Sequence, residues 1–593
     1  MEKEAKRLLQ EIYGYRDFRK GQKAILESVF QGREVLGILT TGGGKSICYQ
    51  IPALLFEGLT LVISPLISLM KDQVDTLKMI GVKSAFLNST LKKEEYRRLV
   101  GKIFRGEIKI LYVAPERLCN ESFISLMQKI KISLLAVDEA HCISQWGHDF
   151  RKSYLEIPTF LKKLRQKVQI LALTATATPR VQEDILDKLH IPDAYIYQGS
   201  FNRKNLYFRV ERRKVPEAYV ADYLKKSQGE SGIVYCSTRK SVDSMYSYLK
   251  EIRGYSVGKY HGGMEKEERE ESQNNFLMDK IQVMVATNAF GMGIDKSNVR
   301  FVIHANLPGD LESYYQEAGR AGRDGGRAEA ILLYQEEDIS TQRFFIEKNE
   351  EIDEDFKREK LHKLDKMIEY AELESCYREF ILSYFGEARV KNYCGFCGNC
   401  RKQTDVQDLS VEAQKVLSCI GRAKESIGQS TVTNILLGKA DSKMKLKGLD
   451  RLSTFGIMEK KEIPWLEDFI HYLLSEGYIS QTAGSFPVLK LNTQSWDILQ
   501  NRRKVLRKEE EEVRFSMQRN PLFRKLLRLR LEISEREKVA PYIIFSDLTL
   551  WEFAQFRPKT KYEMMKIQGV GNQKFTHYGE EFLHCILEEE ELR

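Results

Sequence analysis

The sequence predicts an α/β fold built on two adjacent parallel sheets, with a change of texture after about residue 340. Eight short, β-branched apolar runs carry that expectation, at 35–39, 60–63, 110–113, 134–137, 170–173, 232–235, 283–286 and 301–303. Helical stretches alternate with them, and turn or motif residues bound each one. Apolar runs of this length read as strands buried on both faces, the habit of parallel sheets. Eight of them over about 300 residues suit two sheets better than one. A seam is expected near residues 200–206, after the fifth strong run.

The run at 35–39 leads into TTGGGKS at residues 40–46 and then a helical stretch. Thr41, Gly42, Gly43, Gly44, Lys45 and Ser46 suit a phosphate-binding loop. The glycines let backbone N–H groups approach phosphate oxygens, Lys45 supplies a point charge, and the Ser46 hydroxyl can ligate magnesium. The match is partial, because Leu39 stands where the full pattern asks for Gly or Ala. The alternative is a glycine-rich turn before an ordinary lysine. The run at 134–137 ends in Asp138 and Glu139. Carboxylates at a strand's carboxyl edge can hold magnesium and orient a water, with Asp138 on the metal side and Glu139 the general base. Alone, the pair would read as a helix cap; with the loop ninety residues earlier it reads as catalytic. QEAGRAGRDG, residues 316–325, places Arg320 and Arg323 three apart, on a helix or its entry. Both can reach one phosphate cluster as arginine fingers, whereas in isolation the string is only a basic loop.

After residue 340, Glu- and Lys-rich helices are expected over 342–387. Cys376 then joins CGFCGNC, whose thiols are Cys394, Cys397 and Cys400. Four thiolates at this spacing favour a closed structural zinc site. An iron–sulfur cluster is the rival, but its further C-x-x-x-C-P is missing. Ten cysteines in 593 residues are few, which suits a reducing compartment. Residues 478–491 read as a hairpin with Phe486 near its tip. Residues 501–530 carry eleven basic side chains against Glu509 to Glu512, and the acidic quartet reads as a solvated linker.

The net charge of +9 permits a nucleic-acid partner without demanding one, since 84 carboxylates nearly cancel the field. A composition 42% hydrophobic and 30% charged excludes wholesale disorder. No apolar run approaches the ~18 residues of a membrane span, and residues 1–15 read as a helix with no apolar signal core. A cytoplasmic protein is expected, nucleoid-associated in a bacterium or nuclear in a eukaryote, with no membrane partner.

Taken in order, these strings resemble the motifs of the RecQ family of superfamily-two DNA helicases, nearly end to end. GYRDFRKGQ, residues 14–22, is similar to the adenine-reading motif, which implies that Gln22 contacts the base. TTGGGKSICYQIPALL resembles motif I, VISPLISLMKDQV and YVAPERL motifs Ia and Ib, and ALTATAT motif III. DEAHCISQWGHDFR resembles motif II fused to an aromatic-rich loop. VYCSTRKSVDSM with YHGGM, VATNAFGMGIDKSNVRFVIH, and QEAGRAGRDG resemble motifs IV, V and VI. One departure is Thr40, where many members carry proline.

The resemblance implies two RecA-like lobes, then a zinc-binding helical module, a winged helix and a small helical HRDC bundle. The expected bounds are 1–205 and 206–340 for the lobes, 341–405 for the zinc module and 406–500 for the winged helix. A linker at 501–516 and HRDC at 517–593 complete the chain. It implies that Trp146 stacks on a DNA base, that His148 and Arg151 sense bound strand, and that Phe150 belongs to the same DNA-binding loop. Trp146 and Phe150 filling the core is the alternative. Thr174 and Thr176 would relay the γ-phosphate state, or cap the helix starting at Thr178 and Pro179. The Gly569-Val570-Gly571 turn could meet phosphate with its N–H groups, or serve as a plain structural turn.

The implied activity is ATP- and magnesium-dependent unwinding of DNA with 3′-to-5′ translocation on single strands. Forks, overhang duplexes and recombination intermediates are the implied substrates, in repair, recombination and replication. Cofactors are ATP with Mg2+ and one structural Zn2+. Partners are single-stranded and duplex DNA, with a single-strand-binding protein and a topoisomerase implied by the family alone. An RNA helicase and a non-enzymatic DNA-binding adaptor are the rivals.

Overall fold

The computed structural model describes all residues except 88–92, 148, 213, 291–295, 349–352, 388–392, 402–405, 483–486, 509–519 and 592–593. It forms two compact units, one of residues 1–400 with 515–593 and one of residues 401–514.

The larger unit holds two parallel sheets. The first contains β1 (Val35–Ile38), β2 (Leu59–Ile63), β3 (Ser84–Leu87), β4 (Ile110–Val113), β5 (Ile132–Val137), β6 (Gln169–Thr174) and β7 (Tyr195–Gln198). Their order is β3-β4-β2-β5-β6-β1-β7, with every pairing parallel. The second contains β8 (Leu206–Arg212), β9 (Ser231–Tyr235), β10 (Val257–Tyr260), β11 (Val283–Ala286), β12 (Val299–His304) and β13 (Ala328–Tyr334). Its order is β10-β11-β9-β12-β13-β8, again all parallel. The chain thus passes from one sheet to the other between Gln198 and Leu206. All eight apolar runs are strands. Among the described residues of these two sheets, five strands escape the sequence expectation: β3, β7, β8, β10 and β13. Four of these are sheet edges. An edge strand is covered less completely, so β7 and β8 alternate in burial and show no continuous apolar run. In β13 the buried stretch follows the Gly- and Arg-rich 319–327 segment directly, which hides its start.

Helices α1 (Glu2–Tyr13), α2 (Lys20–Phe30) and α3 (Ile47–Leu55) lead into and out of the first sheet. Beyond the second sheet come helices Glu337–Glu347, Glu354–Glu372 and Tyr377–Tyr384, the last capped by Cys376, and then the loop of the other three clustered cysteines. The carboxy-terminal bundle, opened by Pro521–Glu537 and closed by Glu580–Glu591, has its own core of Leu526, Ile533, Phe545, Phe553 and Phe582. It rests on the lobes, where the Gly571 backbone lies against Gly14 and Arg16 donates to the Lys566 carbonyl.

The smaller unit has a helical core including Val416, Leu417, Ile435, Leu466, Phe469 and Ile470. Two short antiparallel pairs decorate it. Val406–Asp408 pairs with Leu506–Lys508, so part of the stretch expected as a linker is a strand. Ser480–Gln481 pairs with Leu489–Lys490, the base of the expected hairpin, while Phe486 lies outside the described residues, as do Glu509 to Glu512. No helix among the described residues is long and apolar enough to cross a membrane.

Candidate nucleotide and DNA site

The carboxyl ends of β1, β5 and β6 lie side by side, the edge where open α/β sheets bind ligands. Three sequence motifs meet there. From β1 the chain turns through residues 40–45, closed by the Gly43 N–H donating to the Thr40 carbonyl at 2.7 Å. Ser46 stands at the N-cap of α3, so the loop's amides and a helix N-terminus converge on one space. Gly44 has φ +78°, and a Cβ there would lie 2.3 Å from Gln22 Nε2; only glycine fits.

From β5, Asp138 extends the sheet by donating its N–H to the Ile63 carbonyl at 2.9 Å. Glu139 follows in a left-handed conformation, φ 46°, unusual for a side-chain-bearing residue and a mark of imposed local geometry. Its Oε1 accepts from Lys45 Nζ at 3.2 Å. Burial, then the neighbouring Glu139 carboxylate, push the Asp138 pKa up, partly countered by Lys45. From β6, Thr174 Oγ1 lies 2.9 Å from His141 Nδ1, which in turn is 3.4 Å from Glu139 Oε2. His141 therefore joins the acidic pair to the third motif; its place in DEAH was the signal for it, and the sequence reading left it unassigned. Thr176 donates its N–H to Thr174 Oγ1. Thr178 does occupy the N-cap of helix Pro179–Leu189, with proline next, but no threonine side chain caps it.

Gln22 is buried against the loop, its amide nitrogen donating to the carbonyls of Gly43 and Gly44 and its oxygen accepting from Arg19 N–H. Arg19 also donates to the Gly42 carbonyl.

Arg320 and Arg323 come from the second sheet. They lie past the carboxyl end of helix Leu311–Ala318, not on a helix or its entry as the spacing suggested. The helix ends at Ala318 with Gly319 as its cap, and the turn beyond it is shaped by Gly322, whose φ is +61° and where a Cβ would strike Asn205 Nδ2 at 2.5 Å. A Cβ added at Gly42 would stand 3.3 Å from the Arg323 carbonyl oxygen and 3.4 Å from its Cα, so this turn faces the glycine-rich loop across the seam. Arg320 is buried near Tyr235.

The oxygen donors of Ser46 and Asp138, beside a lysine and a helix N-terminus, fit a magnesium–nucleotide complex, because hard cations prefer carboxylate and hydroxyl oxygen. The thiols of Cys376, Cys394, Cys397 and Cys400 lie within 4.8 Å of one another. Cys394 and Cys400 Sγ are 3.9 Å apart, Cys376 and Cys397 Sγ 4.0 Å. Four thiolates about 2.3 Å from one tetrahedral zinc would stand about 3.8 Å apart, so the donor set fits zinc. The Phe396 N–H points at Cys394 Sγ, and Asn399 donates to the Leu373 and Ser375 carbonyls, fixing the loop to the helices.

The loop after Glu139 is held by the first lobe and by the helix Glu354–Glu372. Trp146 packs partly on the main core, and the Arg180 guanidinium lies 3.4 Å above its ring. Lys363 Nζ donates to the Trp146 carbonyl at 2.8 Å and pairs with Glu312 at 3.0 Å. Arg151 donates to Asp149 and to the Pro65 carbonyl. Phe150 is partly buried and His148 lies outside the described residues. The expectation that Gly569-Val570-Gly571 offers its N–H groups to phosphate meets a packed turn lying on Gly14.

Residues 19–185 match the DEAD/DEAH box helicase model and 216–325 the helicase conserved C-terminal domain. Residues 336–401 match the RecQ zinc-binding model, 403–516 the RQC domain and 519–586 the HRDC domain. The chain is 46% identical over 584 residues to the ATP-dependent DNA helicase RecQ of Bacillus subtilis, covering 98% of each chain. It belongs to the RecQ family. The ATP-dependent DNA helicase RecQ of Haemophilus influenzae is 40% identical over 98% of this chain and 95% of its own. A putative ATP-dependent RNA helicase of Acanthamoeba polyphaga mimivirus is 36% identical over 82% of this chain and 90% of its own. The fold expected of a RecQ chain, two parallel-sheet lobes with zinc-binding, winged-helix and HRDC parts, is the fold observed.

Proposed function

We propose that this chain is an ATP-dependent DNA helicase that spends ATP to move 3′ to 5′ along single-stranded DNA and to open duplexes, forks and recombination intermediates. The polarity is the family's property. One observation carries the reading: Lys45, the Asp138–Glu139 pair and the Arg320–Arg323 turn meet at a seam between two parallel sheets. A site split between two bodies is assembled when they close and broken when they part, which couples hydrolysis to movement.

The roles follow from position. The amides of residues 42–46 and the Lys45 ammonium take the phosphates, with Thr41 at the loop's entry and Gln22 on the base. Ser46 and Asp138 would hold magnesium, which when bound neutralises charge between the β- and γ-phosphates. Glu139 accepts the proton of the attacking water once Lys45 has moved to the phosphates, and His141 orients it. Arg320 and Arg323 stabilise charge on the transferring phosphoryl group from the other lobe. Trp146, His148, Phe150 and Arg151 grip the single strand, with Trp146 released from Arg180 to stack on a base. Cys376, Cys394, Cys397 and Cys400 hold one structural zinc, and residues 406–500 bind duplex as a winged helix. The domain bounds of the sequence expectation belong to this reading. So do a cytoplasmic or nucleoid location and partners such as a single-strand-binding protein and a topoisomerase.

The test is ATP turnover with and without single-stranded DNA, followed by unwinding of 3′- and 5′-tailed duplexes. DNA-stimulated turnover with opening of the 3′-tailed substrate is expected; opening only from a 5′ tail refutes the polarity. The RNA-helicase name of one relative favours a second reading. Equal unwinding on RNA and DNA tails would support it against a dedicated DNA enzyme.

A further inference from the structure

Arg203 lies on the short segment joining the two sheets, in a stretch that the sequence marks only as a seam. Its two terminal nitrogens make four hydrogen bonds, all to backbone carbonyls. Nη1 donates to Thr41 at 2.8 Å and to Gly319 at 3.0 Å. Nη2 donates to Ala321 at 2.8 Å and to Gly322 at 3.0 Å. Thr41 belongs to the phosphate loop of the first sheet. Gly319, Ala321 and Gly322 form the turn that carries Arg320 and Arg323. Every N–H of the planar fork's two terminal nitrogens is thereby used, and the fork is rigid, so the carbonyls it joins are held at fixed separation.

The segment bearing Arg203 is itself fixed. Asn205 donates to the Gly322 and Gly326 carbonyls at 2.9 and 2.7 Å. The buried Arg378, two residues after the zinc-cluster Cys376, donates to Asn202 Oδ1 and to the carbonyls of Arg203, Leu206 and Phe396. A chain of contacts thus runs from the cysteine cluster through Arg378 to Arg203 and on to both halves of the nucleotide site.

We propose that Arg203 is a positioning residue for ATP hydrolysis, its guanidinium setting the distance between the phosphate loop and the arginine-bearing turn. It touches neither nucleotide nor reacting atoms; it acts through Thr41 and through Arg320 and Arg323. Losing it leaves each half of the site intact and lets the halves drift, so the step needing both suffers while binding to one half does not. A misplacement of about 1 Å at such a site costs on the order of 100-fold in rate.

The inference rests on the cleft being an ATP-hydrolysing site. Arg203→Ala and Arg203→Lys are each compared with the full-length wild type for ATP KM, DNA-stimulated kcat, single-strand affinity and thermal midpoint. Both variants are expected to lose at least about tenfold in kcat, with KM and DNA affinity within about threefold of wild type, and to melt cooperatively at a lowered midpoint because four carbonyls lose their donor. Lysine does not restore the rate, because one ammonium cannot span four carbonyls in a plane. Wild-type kcat in either variant overturns the proposal. So does a fall in kcat matched by an equal fold-loss of DNA affinity or by loss of the cooperative melting transition, which marks a merely structural residue. Absence of ATPase in the wild type would instead sink the reading of the cleft itself.

Discussion

Lys45 sits where two requirements meet, facing the phosphate space and paired with Glu139 at 3.2 Å. Lys45→Ala is expected to abolish ATP turnover and unwinding while single-strand affinity stays within about threefold, since the strand is gripped elsewhere. Retained unwinding in a tailed-duplex assay would refute the assignment. Gly44→Ala makes a more local test. The added methyl must displace Gln22 Nε2 from 2.3 Å in a φ +78° backbone, so nucleotide affinity should fall by at least about tenfold at a cost near 1–3 kcal/mol; fluorescent-nucleotide titration reads it. The chemistry of these side chains was legible because each lies inside a short motif. Arg203 was not, because its meaning depends on carbonyls of residues 41 and 319–322, far apart in sequence. Arg320 and Arg323 were legible as a basic pair but not as residues of a turn, since the shape of that turn depends on Gly322 packing under Asn205.

At the scale of elements, buried apolar runs mark central strands reliably because both faces must be covered. Edge strands such as β7 and β8 keep one side wetter and lose that signal. The cysteine cluster joins the helix beginning at Tyr377 to a loop eighteen residues on. Cys397→Ser is expected to take metal content from one zinc per chain to near zero and to lower the thermal midpoint, because metal binding and folding are linked here; elemental analysis with a melting curve checks both. Lys363 ties the helix Glu354–Glu372 to the Trp146 loop and to Glu312 of the second lobe. Lys363→Met removes the ammonium from a buried pair, so a loss of about 3–5 kcal/mol is expected in denaturant unfolding. A change below 1 kcal/mol would mean the pair does not hold the lobes.

Across the larger unit, the carboxy-terminal bundle packs on the lobes through glycine backbones. Gly571 has φ −94°, which any residue adopts, but its side-chain direction runs into Gly14 N at 3.1 Å. Gly571→Leu should therefore leave the bundle folded and undock it, seen as faster proteolytic release of residues 520–593 with unchanged helical content; unaltered release would refute docking through this contact. The sequence by itself determined the order of parts: a glycine-rich loop, a carboxylate pair, paired arginines and three thiols, each a local pattern within a few positions, with Cys376 eighteen positions before the other thiols. Only the tertiary structure decided which groups share a space. It set Lys45 against Glu139, clasped the loop to the arginine turn with Arg203, and laid Gly571 on Gly14. The reason is physical: such contacts are fixed by the packing of surfaces brought together from distant segments, and no local periodicity records them.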